Sequence, residues 1–143
     1  MVQERIFNLL EVENFSHKLS SNISKSELVL LKGDLGSGKT TIIRFLIKYI
    51  FLFNKENPPE IIPSPSYPIL QSYELKSFII HHYDFYRINK INEIIEIGFE
   101  ENIKGNITFI EWPELVLPII SNYKHHTISL SILDNDKRKL NYY

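Results

Sequence analysis

The stretch "LLKGDLGSGKTT" at residues 30–41 combines residue types that bind phosphate. Gly33, Gly38, Lys39 and Thr40 satisfy the spacing G-x-x-x-x-G-K-[ST]. The glycines allow backbone N–H groups to turn inward around a β-phosphate, and a following helix adds its positive N-terminus. Lys39 can then reach the β- and γ-phosphates, while the Thr40 hydroxyl can bind Mg²⁺. An apolar run precedes the motif and a helical pattern follows it, so we expect this chain to bind a nucleoside triphosphate.

Two acidic residues stand at the ends of other predicted strands, where a phosphate-binding loop usually finds a partner for Mg²⁺ or for water. In "FIIHHYDFYR", Asp84 follows an apolar run and shares a strand face with His82 and Tyr86, because alternate residues point the same way. In "ITFIEWPE", Glu111 ends an apolar strand. A solvated carboxylate is the alternative for each acid taken alone. The pattern predicts a functional role for at least one of them and leaves the division of labour open.

Other reactive or aromatic side chains have weaker signals. The adjacent histidines at 81–82 and 125–126 would point to opposite faces of a strand, so we expect packed or surface histidines rather than a metal site. Trp112, the single tryptophan, is either a core residue or a wall of the nucleotide site. Arg87 closely follows Asp84 and could contact phosphate or a partner.

Composition restricts the possible functions. With 143 residues the chain has the length of one domain, which we expect to span residues 1–143. The 16 basic and 17 acidic residues leave a net charge of -1, which disfavours direct, tight binding of nucleic acid. The absence of cysteine excludes disulfides and zinc thiolate sites. No signal pattern is visible, and Arg44 and Lys48 interrupt the longest apolar stretch, so a cytoplasmic protein without membrane contact is expected.

Hydrophobic periodicity predicts strands interspersed with helices. The predicted strands cover 5–10, 27–33, 69–75, 77–86, 106–112, 126–133 and 139–143; the predicted helices cover 11–23, 40–53 and 89–103, the last with a break at Gly98. Residues 54–68 are rich in Pro, Asn and Ser and are predicted to form a long, functional loop. Residues 134–138 are predicted as the turn of a C-terminal hairpin. These elements predict an α/β fold of three layers, P-loop NTPase-like, with a mixed β-sheet flanked by helices.

Taken together, "GDLGSGKTT", "SPSY", "HHYDFYRI" and "FIEWPE" resemble the TsaE (YjeE) family of small P-loop ATPases. The family pattern is G-D-L-G-x-G-K-T-T, then S-P-T-[FY], then H-x-D-x-Y-R-[LI], then an apolar strand ending in E-W. The blocks occur here in that order between residues 30 and 114. The glycine-rich block is shared with many NTPases, whereas the H-x-D-x-Y-R and E-W blocks are much more specific.

The resemblance implies roles for individual residues. The implied catalytic residues are Lys39, Asp84 and Glu111, and the implied Mg²⁺ ligands are Thr40, Ser66, Asp84 and Glu111. The residues implied in holding ATP are Asp34, Leu35, Gly36, Ser37, Gly38, Lys39, Thr40, Thr41 and Trp112. Ser66 replaces the family's threonine, which keeps the hydroxyl and loses the methyl group, and Pro68 is a second departure that stiffens the same loop.

The resemblance also implies a cellular role. Proteins of this family hydrolyse ATP weakly alone and act with TsaB and TsaD in forming threonylcarbamoyladenosine (t6A) at adenosine 37 of tRNA. We therefore expect an ATPase that binds ATP and Mg²⁺, is stimulated by TsaB-like and TsaD-like partners, and meets tRNA only through the complex. The nearly neutral chain agrees with a protein partner better than with direct binding of tRNA.

Three other functions fit parts of the sequence. A small-molecule kinase of the P-loop class is the main alternative, but such enzymes usually direct several arginines at the transferred phosphoryl group. A GTPase would carry N-K-x-D, and both "NKEN" and "NKIN" lack the aspartate. A binding module with an inactive ATP site would be expected to have lost Lys39, Thr40 or the strand-end acids, and all are present.

Overall fold

The structure, a computed structural model, describes residues 3–134 and 137–143. The strands are β1 (Gln3–Phe7), β2 (Leu28–Lys32), β3 (Leu70–Glu74), β4 (Ile79–Asp84), β5 (Ile107–Glu111), β6 (His125–Ile132) and β7 (Arg138–Tyr142). The helices are α1 (Leu9–Ser20), α2 (Lys39–Phe53), α3 (Ile91–Glu96) and α4 (Phe99–Ile103), and a 3₁₀ helix covers Pro113–Val116.

The seven strands form one mixed sheet in the order β1-β7-β6-β2-β5-β4-β3. The four central strands β6, β2, β5 and β4 are parallel. β7 pairs antiparallel with β6, β3 pairs antiparallel with β4, and β1 pairs antiparallel with β7 at the edge of the sheet. Parallel strands end at the same edge of a sheet, so residues that follow β2, β4 and β5 meet there. The register confirms this, because Glu111 pairs with Leu31 on one side and with Asp84 on the other.

Helices cover both faces of the sheet, which explains why four consecutive residues of β2, Leu28 to Leu31, are apolar. Val29 and Leu31 point to a core shared with α1 and α2. Leu28 and Leu30 point to a second core that includes Ile94 of α3 and residues of α4 and the 3₁₀ helix. All four of these β2 side chains are at most 1% exposed. The predicted three-layer α/β fold with a mixed sheet is confirmed.

The N-terminal elements differ from the prediction. The predicted strand over 5–10 ends at Phe7, and α1 begins at Leu9 rather than at residue 11. Asn8 caps the helix: its side chain accepts from Glu11 N at 3.0 Å, and the Glu11 carboxylate accepts from Asn8 N at 3.1 Å. This capping box fixes the helix start where the apolar run alone predicted more strand. The helix also ends at Ser20, three residues before the predicted end.

Other boundaries follow local chemistry. The predicted helix over 89–103 divides into α3 and α4 at Gly98, whose φ of 75° interrupts the helix as expected. Residues 54–68 contain no helix or strand, which confirms the predicted loop, while its functional role stays a prediction. The predicted strand over 77–86 ends earlier, at Asp84.

Residues 135 and 136 of the predicted turn lie outside the described residues. No helix in the described ranges has the length and apolar character needed to cross a membrane.

Candidate active site

A glycine-rich loop, residues 33–38, leads from the end of β2 into the N-terminus of α2. Gly33 has a φ of 148°, and a Cβ added there would lie 2.6 Å from Ser37 Oγ and 2.7 Å from the Leu130 carbonyl oxygen. Only glycine fits this position, because both its conformation and the available space exclude a side chain. Gly38 also has a positive φ, 108°, directly before the first residue of α2. The loop therefore wraps around the positive end of a 15-residue helix.

Lys39 is held inside this loop. Its side chain is 5% exposed, and Nζ donates to the carbonyl oxygens of Gly33 at 2.6 Å and Asp34 at 3.0 Å. Nζ also lies 4.4 Å from the centroid of the Trp112 ring, within cation–π distance. Burial lowers the pKa of Lys39, and the negative charges of Glu111 and Asp84 oppose that shift. The loop thus concentrates positive charge between two carboxylates.

Glu111 connects three elements of the site. It ends β5, is 3% exposed, and its Oε1 accepts a hydrogen bond from Thr40 Oγ1 at 2.9 Å. Its Oε2 lies 2.8 Å from Nε2 of His82, which is fully buried on β4. The hydroxyl and the acid that the sequence placed in one metal site are therefore in direct contact.

Asp84 lies beside Glu111 at the end of β4 and is 7% exposed. Its Oδ1 accepts from the backbone N–H of Tyr86 at 3.0 Å, which turns the chain away from the sheet. Burial raises the pKa of Asp84; the Tyr86 N–H lowers it, and the negative charge of Glu111 raises it again. The carboxylate is thus held in a place that disfavours its charge, as is common at functional sites.

Trp112 contacts a site residue directly, whereas Ser66 lies in the loop before β3 and is linked to the site through that loop. Ser66 is exposed, and its Oγ accepts from Ser64 Oγ at 3.2 Å. Its loop reaches β4 through Ile69, whose carbonyl oxygen accepts from Asp84 N at 2.9 Å. Trp112 is half-buried and packs on Tyr86 with a centroid distance of 4.9 Å. Its φ of 59° is unusual for a bulky residue and places the ring over Lys39.

Sequence reasoning missed two residues that hold the site together. It predicted a packed or surface role for His82, although His82 shares a strand face with Asp84 and is the histidine of the H-x-D-x-Y-R block. It assigned nothing to Arg138, whose Nε donates to the Ser37 carbonyl at 3.0 Å and whose Nη2 donates to the Gly36 carbonyl at 3.4 Å. Arg138 is 101 residues from Ser37, and no local pattern could link the two.

A cleft of about 550 Å³ borders the loop, and neither Glu111 nor Asp84 lines it. Its walls come from the loop, from α1 and its N-cap, and from the β6–β7 hairpin. The lining residues are Phe7, Asn8, Leu9, Leu10, Val12, Gly36, Ser37, Gly38, Thr41, Ile42, Leu130 and Arg138. The cleft is mostly apolar and touches the first turn of α2, a usual arrangement for the organic part of a ligand whose charged part lies in the loop.

The donor set fits Mg²⁺ and does not fit a metal held by protein alone. Within the described ranges, no three His, Cys, Asp or Glu side chains are grouped to hold a metal ion. Thr40, Asp84 and Glu111 offer a hydroxyl and two carboxylates at one edge of the sheet. Mg²⁺ prefers oxygen ligands and usually combines one or two carboxylates with water and substrate phosphates.

Comparisons with known proteins identify the family. A family model described as "Threonylcarbamoyl adenosine biosynthesis protein TsaE" matches residues 7–140, which include the glycine-rich loop and both acids. The chain belongs to the TsaE family. A TsaE protein of Rickettsia typhi, named as a tRNA threonylcarbamoyladenosine biosynthesis protein, is 41% identical over 128 residues, covering 90% of this chain and 85% of the relative. A TsaE protein of Aquifex aeolicus with the same name is 30% identical over 139 residues, covering 94% and 93%.

A solved structure supports the fold. The crystal structure of YdiB from Bacillus subtilis superposes with a TM-score of 0.70, covering 99% of this chain and 86% of that one, at 20% sequence identity. The resemblance to the TsaE family that the four motifs indicated is thus confirmed by the family model. The roles of individual site residues stay predictions.

Proposed function

We propose that this chain binds and hydrolyses ATP as a subunit of the machinery that makes t6A in tRNA, together with TsaB-like and TsaD-like proteins. The observation that carries the proposal is the contact between Thr40 and Glu111 beside buried Lys39, since it joins a phosphate-binding loop to a carboxylate at a strand end. Family membership supplies the pathway, because the relatives are named for threonylcarbamoyladenosine biosynthesis.

The loop binds the phosphates. Its backbone N–H groups and the N-terminus of α2 attract the β- and γ-phosphates, with contacts from Asp34, Leu35, Gly36, Ser37, Gly38, Thr40 and Thr41. Lys39 exchanges its two carbonyl partners for phosphate oxygens, which are stronger partners because they are charged. Trp112 closes the site over Lys39 and excludes water from one side. The positive charge that stabilises the transition state is thus in place before ATP arrives.

Thr40, Asp84 and Glu111 would hold Mg²⁺, with Ser66 approaching from its loop. Bound Mg²⁺ would neutralise charge on the β- and γ-phosphates. The Thr40 hydroxyl donates to Glu111, so its lone pairs remain available to a cation. With the cation bound, Asp84 would orient water around it, and Glu111 would position or deprotonate the water that attacks the γ-phosphate in line.

The nucleoside is proposed to lie in the cleft beside Gly38 and Thr41. Its volume of about 550 Å³ falls in the usual range for small-molecule sites. The apolar side chains of Leu9 and Leu10 give a surface for a flat base. ATP rather than GTP is proposed because the chain lacks the N-K-x-D motif that reads guanine.

The remaining parts of the proposal concern the cellular setting. One domain over residues 1–143 is proposed to work in the cytoplasm without membrane contact. The chain has a net charge of -1, which supports meeting tRNA indirectly, through the partner proteins.

The test is phosphate release from ATP and from GTP by the purified chain, alone and with TsaB-like and TsaD-like proteins plus tRNA. We expect slow, ATP-selective turnover that rises when the partners are added, with Lys39→Ala as the inactive control. Turnover that does not rise when the partners are added would argue against a role of this site in t6A synthesis. Phosphate that appears only when a small-molecule acceptor is supplied would instead favour a kinase.

A further inference from the structure

His82 has a contact pattern that packing does not explain. The side chain is fully buried on β4, with Nε2 at 2.8 Å from Glu111 Oε2. Its other ring nitrogen, Nδ1, is buried and has no hydrogen-bond partner among the described residues. An unsatisfied buried polar atom costs about 1–3 kcal/mol, so packing alone would favour an apolar side chain of similar size. The contact with Glu111 is therefore the reason for a histidine at this position.

The neighbouring histidine shows the contrast. His81 is also buried, but it points to the opposite face of the sheet. Its Nδ1 lies 2.8 Å from Ser72 Oγ, and its Nε2 lies 3.4 Å from Asn106 Nδ2. Both of its ring nitrogens have partners, and neither partner belongs to the site. His81 is thus a matched structural histidine one residue away.

The geometry at Glu111 shows what His82 supplies. The terminal torsion of a glutamate is broad, so a carboxylate keeps one orientation only when hydrogen bonds fix both of its oxygens. Thr40 donates to Oε1 and His82 faces Oε2. An ionised carboxylate only accepts, which places the proton of this contact on His82 Nε2. Without that donor, Glu111 would be anchored on the Thr40 side alone and could rotate.

We propose that His82 is a positioning residue that donates from Nε2 to Glu111 Oε2 and keeps the opposite oxygen directed at Thr40. This inference rests on the proposed function, in which Glu111 orients the attacking water. His82 itself touches no reacting atom. Its effect is on the rate of the chemical step, because nucleotide binding depends on the loop and on Lys39.

The first experiment separates the hydrogen bond from packing. His82→Gln keeps an N–H donor on a side chain of similar reach, whereas His82→Met fills similar space without a donor. We expect His82→Met to lower kcat of ATP hydrolysis by about 10- to 100-fold. The KM for ATP and the ADP affinity measured by calorimetry should both stay within about threefold of wild type. His82→Gln should recover most of that loss. The control pair His81→Gln and His81→Met should keep kcat within about twofold of wild type.

The outcomes divide clearly. Wild-type kcat in His82→Met, or equal losses in folded His82→Met and His82→Gln, would overturn the proposal. Thermal unfolding checks that each variant is folded. If His82→Met does not fold, the comparison rests on His82→Gln, which must keep kcat within about tenfold of wild type.

A second measurement needs no turnover. In ¹⁵N-labelled protein, we expect a slowly exchanging imidazole N–H signal from Nε2 of His82, identified by its loss in His82→Gln. The signal should shift in Glu111→Gln and stay unchanged in His81→Gln. A proton on Nδ1 instead of Nε2 would contradict the proposal. If wild-type protein with its partners hydrolyses no ATP, the proposed function fails, while this signal still decides whether His82 holds Glu111.

Discussion

The two ends of the central sheet both bury acidic residues, but they treat them in opposite ways. At the amino end of β2, Glu27 is 6% exposed and receives hydrogen bonds from Lys124 Nζ at 2.8 Å, Ser24 N at 3.0 Å and His126 Nε2 at 3.0 Å. At the carboxyl end, the Asp84 carboxylate accepts a hydrogen bond from the backbone N–H of Tyr86 at 3.0 Å.

The pKa values follow the number of donors. Burial by itself would raise the pKa of Glu27, but the hydrogen bonds from Lys124, Ser24 and His126 outweigh it and lower the pKa from 4.5 to about 2. For Asp84 the effect of burial dominates, and the neighbouring charge of Glu111 adds to it, so its pKa is raised. The protein therefore stabilises the ionised carboxylate of Glu27 and destabilises that of Asp84.

The carboxyl end of the sheet is thus less stable than full pairing of its acids would allow. A fully paired carboxylate such as Glu27 holds β2 and β6 together but has no capacity left for a ligand. Asp84 lacks that set of partners and has oxygen lone pairs to offer, which is the usual condition of functional carboxylates. Substitutions at the two ends should therefore have different effects.

The largest effect is expected from Lys39→Ala. Removal of the buried ammonium should weaken ADP and ATP binding by about 100-fold or more, because two neighbouring carboxylates then face the phosphates without compensation. Isothermal titration calorimetry measures this directly. Lys124→Ala, at the amino end, should bind nucleotide as wild type does. Equal nucleotide affinities for Lys39→Ala and wild type would show that the loop does not bind the phosphates.

The next effect concerns turnover. Glu111→Ala and Asp84→Ala should each retain nucleotide and lose about 100-fold or more in kcat, since each removes a group proposed to organise the transition state. Phosphate release under saturating ATP and partner proteins gives kcat. Glu27→Ala, assayed well below its unfolding temperature, should turn over normally. Unchanged turnover in either active-site variant would exclude that acid from the mechanism.

Stability should change in the opposite direction at the two ends. Asp84→Asn should raise the free energy of unfolding at neutral pH by about 1 kcal/mol, because it removes a buried charge whose pKa is raised. Glu27→Gln should lower it by about 1–2 kcal/mol, less than the full shift implies because Lys124 is exposed to solvent. Urea denaturation at neutral pH measures both. The same sign for the two variants would contradict the contrast between the ends.

The acid dependence of Glu27 follows from its lowered pKa. The folded state holds the ionised form more tightly than the unfolded chain does, so its contribution is complete above pH 4.5 and is lost as pH falls toward about 2. The difference in unfolding free energy between wild type and Glu27→Gln should therefore shrink as the pH is lowered through this window. A constant difference over this window would show that the carboxylate charge is not what stabilises this end.

The smallest effect is expected from Arg138→Lys. The lysine keeps the charge but donates from one nitrogen, whereas Arg138 reaches the Ser37 carbonyl through Nε and the Gly36 carbonyl through Nη2, so the loop should lose part of its preorganisation. ADP affinity should fall by about three- to tenfold, measured by calorimetry. Arg5→Lys, on an exposed position of β1, is the control and should bind ADP normally. No difference between the two variants would show that the loop holds its shape without Arg138.

Much of the fold was predictable because its signals are local. The apolar run before Gly33 and the helical pattern after Thr40 predicted β2 and α2 nearly to the residue. The break at Gly98 followed from one residue type. The N-terminal prediction failed for a reason that is also local: the side-chain bonds between Asn8 and Glu11 start α1 earlier than hydrophobic periodicity indicates.

The sequence by itself determined the residue types of the site, the order of its motifs and the family. Only the tertiary structure decided which of these residues touch. Thr40 and Glu111 are 71 positions apart, His82 and Glu111 are 29 apart, and Arg138 and Ser37 are 101 apart. Such contacts depend on strand order and register, which arise from packing of the whole sheet. Local pattern therefore identifies the chemistry, and the assembled sheet fixes the positions of Glu111, His82 and Arg138 around it.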